Sequence, residues 1–265
     1  MILTPLTKNE LMEIFDKTSL EVIRFYIRKA MISQPEILVG QAPLLVQVPK
    51  EHIEQWIVQA IGGKAVGAGS YPVDIILNDC GIDVKMLAAK TTRNGELANS
   101  DSGETSLAQK FTESGVNLDT MFKERKFDEI VDGWKDILFK KLDKVCQEQS
   151  LKKIYYFFIL RSEKAFHLCA TSVDINEIKN MSVLKGTESS VFVNGLIDER
   201  FGNGKIYKAK KRLELRLKPK YWFESKYTLN FDLDFIVPAK NIRNLINEGS
   251  LNDYANELCE FLIKS

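Results

Sequence analysis

Apolar and polar positions along this chain switch between a helical and an extended period. Thr7, Lys8, Asn9 and Glu10 have capping-box spacing, and Leu11, Ile14, Phe15, Leu20, Ile23, Ile27 and Ala30 then recur at helical intervals. One or two amphipathic helices are expected up to about Met31. A short strand is expected between Ile37 and Val48. Pro49 to Ala60 returns to the helical period, with Ile53, Trp56, Ile57 and Ala60 on one stripe. Ser106 to Phe111 reads as a helix buried through Leu107 and Phe111. Leu118 to Gln149 reads as mostly helical, with Phe122, Phe127, Ile130, Trp134, Leu138 and Leu142 apolar. Lys153 to Leu160 holds an unbroken apolar run, expected as a buried strand, with Phe166 to Val173 pairing beside it or extending the sheet. Asp198 to Tyr207 carries Gly202 and Gly204 in an expected turn, and Pro238 to Ser265 closes the chain with helices.

The segment Tyr71 to Met86 stands apart. Two apolar runs flank a turn-rich break at Asn78, Asp79, Cys80 and Gly81, which predicts a β-hairpin. Side chains alternate along a strand, so Asp83 and Lys85 share a face and Val84 points the other way. A loop of two or four residues brings Asp74 onto that face as well; an odd loop turns it away. If Leu77 pairs with Ile82, Asp74 lies opposite Lys85 and diagonal to Asp83. Cross-strand neighbours lie ~4.5–5.5 Å apart and diagonal ones ~7–8 Å, within reach of one shared cation. Aspartate is disfavoured inside strands, and both of these sit in strongly apolar runs.

Those residue types suit phosphodiester hydrolysis. Mg²⁺ takes oxygen ligands, and it neutralises the phosphate and activates water for in-line attack. Asp74, Asp83 and the Val84 carbonyl are the candidate ligands. Lys85 is the candidate for orienting or deprotonating the attacking water and for stabilising transition-state charge.

At these positions the chain resembles the PD-(D/E)xK nuclease superfamily, and within it the type II restriction endonucleases. The match is Pro72…Asp74 followed by Asp83-Val84-Lys85, and it is specific only from about Glu51 to Phe111. Val73 separates Pro72 from Asp74, a departure in the least functional part of the signature. The resemblance implies a restriction-endonuclease-like α/β core: a helix, a central mixed β-sheet carrying the acids, then another helix. It implies Mg²⁺-dependent cleavage of double-stranded DNA with Asp74 and Asp83 as metal ligands and Lys85 beside them. Relatives often carry an acid on the helix before the first strand, which makes Glu51 and Glu54 candidates, with solvated helix carboxylates as the alternative. Some place a glutamine after the lysine, which makes Gln109 an accessory candidate.

The glycine-rich stretch Gly62 to Ser70 lacks the Gly-Lys-Ser/Thr ending of a P-loop and reads as a linker into the hairpin. Thr91 to Glu104 reads as a loop beside the site, where Lys90 and Arg93 are candidates for phosphate contact. Lys205 to Trp222 holds eight basic residues and one acid. From Arg212 onward it alternates, with Leu213, Leu215 and Leu217 inward and Arg212, Glu214, Arg216 and Lys218 outward. With Lys208, Lys210 and Lys211 this forms a candidate DNA-binding strand; a solvated edge strand is the alternative.

Composition narrows the classes. Net charge is +1, so a nucleic-acid surface has to come from local clustering. No apolar run approaches the ~18–20 residues of a membrane span, and the start lacks a basic leader. The four cysteines form no C-x-x-C, and the only histidines are His52 and His167, so structural zinc, a disulfide scaffold and His-assisted nucleophiles are disfavoured. A cytoplasmic protein with no membrane partner is expected. Three regions are expected: 1–48, helical; 49–175, the nuclease core; 176–265, β-rich, contacting DNA and ending in helices. The expected function is a sequence-specific Mg²⁺-dependent endonuclease acting as a monomer or a homodimer. The rivals are a non-specific repair or anti-phage nuclease and a non-catalytic DNA-binding protein on the same core.

Overall fold

A computed structural model describes residues 1–35, 40–41, 46–66, 71–98, 102–109, 117–233 and 240–263, without the side chains of Lys50 and Gln109. Strand β1 (Leu3–Pro5) precedes the capping box, which forms as expected. Thr7 Oγ1 accepts from the Glu10 amide at 3.3 Å, and Glu10 Oε2 accepts from the Thr7 amide at 2.7 Å. Helix α1 (Lys8–Ile14) follows, and Asp16 caps a second helix, α2 (Lys17–Ile32), by accepting from the Ser19 amide at 2.8 Å. The expected strand between Ile37 and Val48 lies mostly outside the described residues; its last three, Val46 to Val48, form none. Helix α3 (Lys50–Ile61) starts after Pro49 and ends at Gly62, whose φ of +67° glycine adopts without strain.

Next come β2 (Lys64–Ala65), β3 (Ile75–Leu77), β4 (Cys80–Ala88) and β5 (Glu104–Gln109). Helices α4 (Leu118–Lys123) and α5 (Phe127–Gln149) are separated at Arg125, which has φ +56°, so the long helical stretch breaks in two. Then follow β6 (Lys153–Arg161), β7 (Ala165–Val173), a 3-10 turn at Ile175–Asn180, β8 (Ser182–Gly186) and β9 (Ser190–Asn194). The chain continues through β10 (Gly202–Tyr207), β11 (Arg212–Leu217), α6 (Pro219–Glu224), β12 (Leu229–Asp232), α7 (Ile242–Glu248) and α8 (Leu251–Ile263).

The strands form two sheets. The first is mixed, in the order β1-β7-β6-β4-β3-β2, with β12 also paired to β7. Among the described strands only β4 and β6 pair in parallel, and α5 lies on the crossover that a parallel pair requires. One face is covered by α2 and α3: Ile23, Ile27, Ile53, Trp56 and Ile57 are buried with Ile75, Ile82, Val84 and Phe157. The opposite face is covered by α5, where Trp134, Leu138 and Leu142 are buried with Tyr156, Phe158 and Leu160. The chain is thus mixed α/β, with a many-stranded mixed sheet flanked by helices. The second sheet is antiparallel, in the order β5-β11-β10-β9-β8. The first sheet recruits β1 and β12 and the second recruits β5, so the sheets cross both expected region boundaries.

Two expectations fail for physical reasons. The described residues of the expected helix Ser106 to Phe111, which run through Gln109, belong instead to β5, where Thr105 and Leu107 turn inward and Glu104 and Ser106 do not. The pairing that decides it comes from β11, more than a hundred residues away, so a short window of sequence could not reveal it. Gly202 and Gly204 are not in a turn but inside β10, against β11. A methyl on Gly202 would sit 2.6 Å from the Arg216 carbonyl oxygen, backbone that cannot swing aside. Gly202→Ala is therefore expected to cost about 2 kcal/mol, read as a lower urea midpoint at unchanged slope.

Candidate active site

The hairpin turn is two residues long, with Leu77 opposite Cys80 and Ile75 opposite Ile82. Asn78 has φ +55°, a conformation asparagine tolerates better than most residues. Cys80 and Gly81, expected in the turn, belong to β4. The loop is even, and the Asp74 side chain reaches β4 at Val84. The register differs from a Leu77–Ile82 pairing, however, and the ladder is irregular at Asp74, whose amide donates to the carbonyl of Ile82, the residue already opposite Ile75.

Asp74 lies just before β3, and its side chain takes the place of a ladder carbonyl: Oδ2 accepts from the Val84 amide at 2.7 Å. Asp83 is 2% exposed, and its Oδ1 accepts from Lys85 Nζ at 2.5 Å. Burial pushes the Asp83 carboxyl up to about 6, with the Asp74 charge adding to the rise and Lys85 opposing it. Asp74, Asp83 and Lys85 therefore converge. The Ile82 carbonyl accepts from the Asp74 amide at 2.8 Å, and the Val84 amide faces the same neighbour. Strand backbone alternates sides, so the Val84 carbonyl also faces the β3 side, beside the Asp74 carboxylate.

Two groups at this site escaped the sequence reading. Lys141 of α5 is half-buried; its Nζ donates to the Leu107 carbonyl at 2.8 Å and lies within the electrostatic reach of Asp83, Lys85 and Asp74. The signal was present: Lys141 interrupts an inward stripe, three residues after Leu138 and four before Val145. Tyr156 stands beside Asp83 across the parallel β4–β6 pair. Its hydroxyl is buried without a hydrogen-bond partner among the described residues, and burial, with the Asp83 charge behind it, pushes its pKa up.

The other candidates lie elsewhere. Glu51 and Glu54 sit on α3, whose buried stripe packs with Ile82 and Val84, the face of β4 opposite to Asp83 and Lys85. The structure does not bring them to the pair. Gln109 is on β5, and its side chain is outside the described residues. Lys90 and Arg93 are exposed beyond the end of β4, on a turn fastened by Lys164 Nζ to the Asn94 carbonyl at 2.8 Å.

The basic stretch is a hairpin, not a single strand, and β11 is interior to its sheet, which removes the edge-strand alternative. Leu213, Leu215 and Leu217 are buried as expected, but Glu214 is buried too. Lys210 bridges Glu104 at 2.7 Å and Glu214 at 3.1 Å, while Arg216 and the Tyr207 hydroxyl bond Glu104. Burial works to raise the Glu104 carboxyl, but the bonds from Lys210 and Tyr207 and the Arg216 charge hold it at about 2. Lys218 Nζ donates to the Glu199 carbonyl at 2.6 Å, and Lys208 lies 3.9 Å from Asp119. Of the expected DNA-facing cations on this hairpin, Lys211 and Arg212 are exposed without a described ion-pair partner, whereas Lys210 and Arg216 are spent on Glu104.

Among the described residues no group of three or more His, Cys, Asp or Glu side chains is placed to hold a metal ion. Mg²⁺ needs fewer, since it is commonly held by one or two carboxylates, with water and substrate phosphate filling the octahedron. Asp74, Asp83 and the Val84 carbonyl form a donor set of that kind, with the Asp83 pKa raised chiefly by burial. The Tyr156 hydroxyl lacks the kind of partner that a coordinated water provides. Two cavities lie away from this cluster. One of about 770 Å³ is bordered by Asp119, Lys123, Arg125 and Lys208, and one of about 590 Å³ lies between α2 and α3. No helix among the described residues is long and apolar enough to cross a membrane. No protein-family profile, curated protein or solved structure matches the chain.

Proposed function

We propose that this chain is a Mg²⁺-dependent endonuclease of double-stranded DNA, of the sequence-specific type II restriction class, built on a restriction-endonuclease-like core. The observation that carries the reading is the convergence of Asp74, just before β3, with Asp83 and Lys85 of β4, through Asp74 Oδ2 to the Val84 amide at 2.7 Å and Lys85 Nζ to Asp83 Oδ1 at 2.5 Å. The order of α3, the acid-bearing strands and then α5 agrees with the core that the resemblance implies.

Asp74, Asp83 and the Val84 carbonyl would hold the cation. When bound, Mg²⁺ supplies charge neutralisation at the phosphate and an acidified water. Lys85, fixed by Asp83, aligns the attacking water and offsets negative charge growing on the phosphoryl oxygens. Water adds to phosphorus as one ester P–O bond breaks, leaving one phosphate end and one hydroxyl end. Exposed Lys90, Arg93, Lys211 and Arg212 supply non-specific attraction to the DNA backbone.

The test is digestion of plasmid DNA with Mg²⁺ and with EDTA, followed by sequencing of the ends. Discrete fragments with a common end sequence, lost in EDTA, are expected. A Mg²⁺-dependent smear would instead identify a nuclease without sequence preference. Binding without cleavage would identify a DNA-binding protein on an inactive core.

A further inference from the structure

We infer that Lys141 is the second phosphate-contacting cation of this site, reaching it from α5. The inference rests on the metal-dependent reading above and deepens it.

Lys141 occupies a position that packing alone would fill with an apolar side chain. Its neighbours on the same stripe, Trp134, Leu138 and Val145, are fully buried. A long cationic side chain on such a stripe carries a desolvation cost, and here burial does depress its pKa. The single described hydrogen bond, from Nζ to the Leu107 carbonyl at 2.8 Å, anchors the ammonium and uses one of its three donors. Helix α5 covers the face of the first sheet opposite to Ile82 and Val84, the face that carries Asp83 and Lys85, so the remaining donors lie over that face.

Charge balance gives that placement a purpose. The two carboxylates and the two ammonium groups cancel. A divalent cation then leaves the site doubly positive, which matches the doubly negative transition state of a phosphodiester attacked by hydroxide. Without Lys141 the same assembly is one charge short. The corollary has a definite sign: in the absence of substrate, Lys141 repels the incoming cation. The site gives up metal affinity in order to bind the transition state more strongly, which is how binding interactions raise turnover.

The experiment measures Mn²⁺ binding to the metal-free full chain by electron paramagnetic resonance, alongside plasmid cleavage. Lys141→Gln retains a donor for the Leu107 carbonyl and removes the charge. It is expected to bind Mn²⁺ about tenfold more tightly and to cleave about 100-fold more slowly. Lys141→Arg, which keeps the charge, is expected to retain near-wild-type Mn²⁺ affinity, and Lys141→Met repeats the neutral test if the glutamine variant does not fold. A merely structural lysine predicts altered melting with Mn²⁺ affinity unchanged, and that result, or weaker binding in the neutral variants, overturns the inference alone. Absence of Mn²⁺ binding in the wild-type chain overturns the underlying reading of the site as well.

Discussion

Asp83→Asn is expected to lower Mg²⁺-dependent cleavage by about 10³-fold while leaving the metal-free fold as stable as before, or more so. The usual expectation for a mutation in a core strand is the opposite. Asp83 is 2% exposed in the middle of β4, with Tyr156 opposite it on β6. Its carboxyl is pushed up to about 6, first by burial and further by the Asp74 charge. At neutral pH, then, the native state carries an ionised group in surroundings that resist ionisation. Asparagine has nearly the same shape, keeps an oxygen for Lys85 Nζ and removes the charge, so it relieves the fold and disables the chemistry. A thermal melt in EDTA beside a cleavage assay reads both effects. A large loss of stability together with retained cleavage would assign Asp83 to the core and not to catalysis.

The same group makes stability depend on pH in a direction opposite to that of most paired carboxylates. Its pKa is 3.8 unfolded and about 6 folded. The stabilisation from proton binding is fully present below pH 3.8 and is lost as pH rises through about 6. The whole effect is on the order of 3 kcal/mol, of which about 1 kcal/mol falls between about pH 5 and pH 8. That window avoids Glu104 and Asp198, both held at about 2, whose contributions are lost only at lower pH. A cation binds the ionised form, so Mg²⁺ is expected to raise the melting temperature at about pH 8 and much less at about pH 5. Asp83→Asn is expected to remove the Asp83 part of both dependences, leaving the opposite slope of His167, whose pKa burial depresses. Equal Mg²⁺ effects at the two pH values, or an Asn variant with an unchanged profile, would locate the raised pKa or the cation elsewhere.

The parts of this structure that were legible in sequence are those fixed by local chemistry. The Thr7–Glu10 capping box, the stripe of α3, the hairpin and the buried run in β6 each follow from residues close together in the chain. The shared face of Asp83 and Lys85 was legible for the same reason, since it follows from alternation along β4, whereas Asp74 meets them through an irregular ladder, with its amide on the Ile82 carbonyl and its carboxylate on the Val84 amide. The exact register was not: Leu77 pairs with Cys80 because Asn78 accepts a left-handed backbone, so the loop closes in two residues instead of four. The parts that were not legible depend on distant pairing. Strand β5 owes its conformation to β11, and through that contact Glu104 meets Lys210, Arg216 and Tyr207. Counting basic residues along Lys205 to Trp222 could not show that one glutamate from a hundred residues earlier absorbs two of them. Lys141 was overlooked for a related reason: its meaning depends on which sheet face α5 covers, although its place on an apolar stripe was a local sign.

The most direct measurement for the account as a whole is diffraction at the manganese absorption edge from crystals of the full chain soaked in Mn²⁺ at about pH 8. One anomalous peak is expected at coordination distance, ~2.0–2.2 Å, from oxygens of both Asp74 and Asp83. A well-ordered pair with no peak between them, or an ion held only at another site, would contradict it.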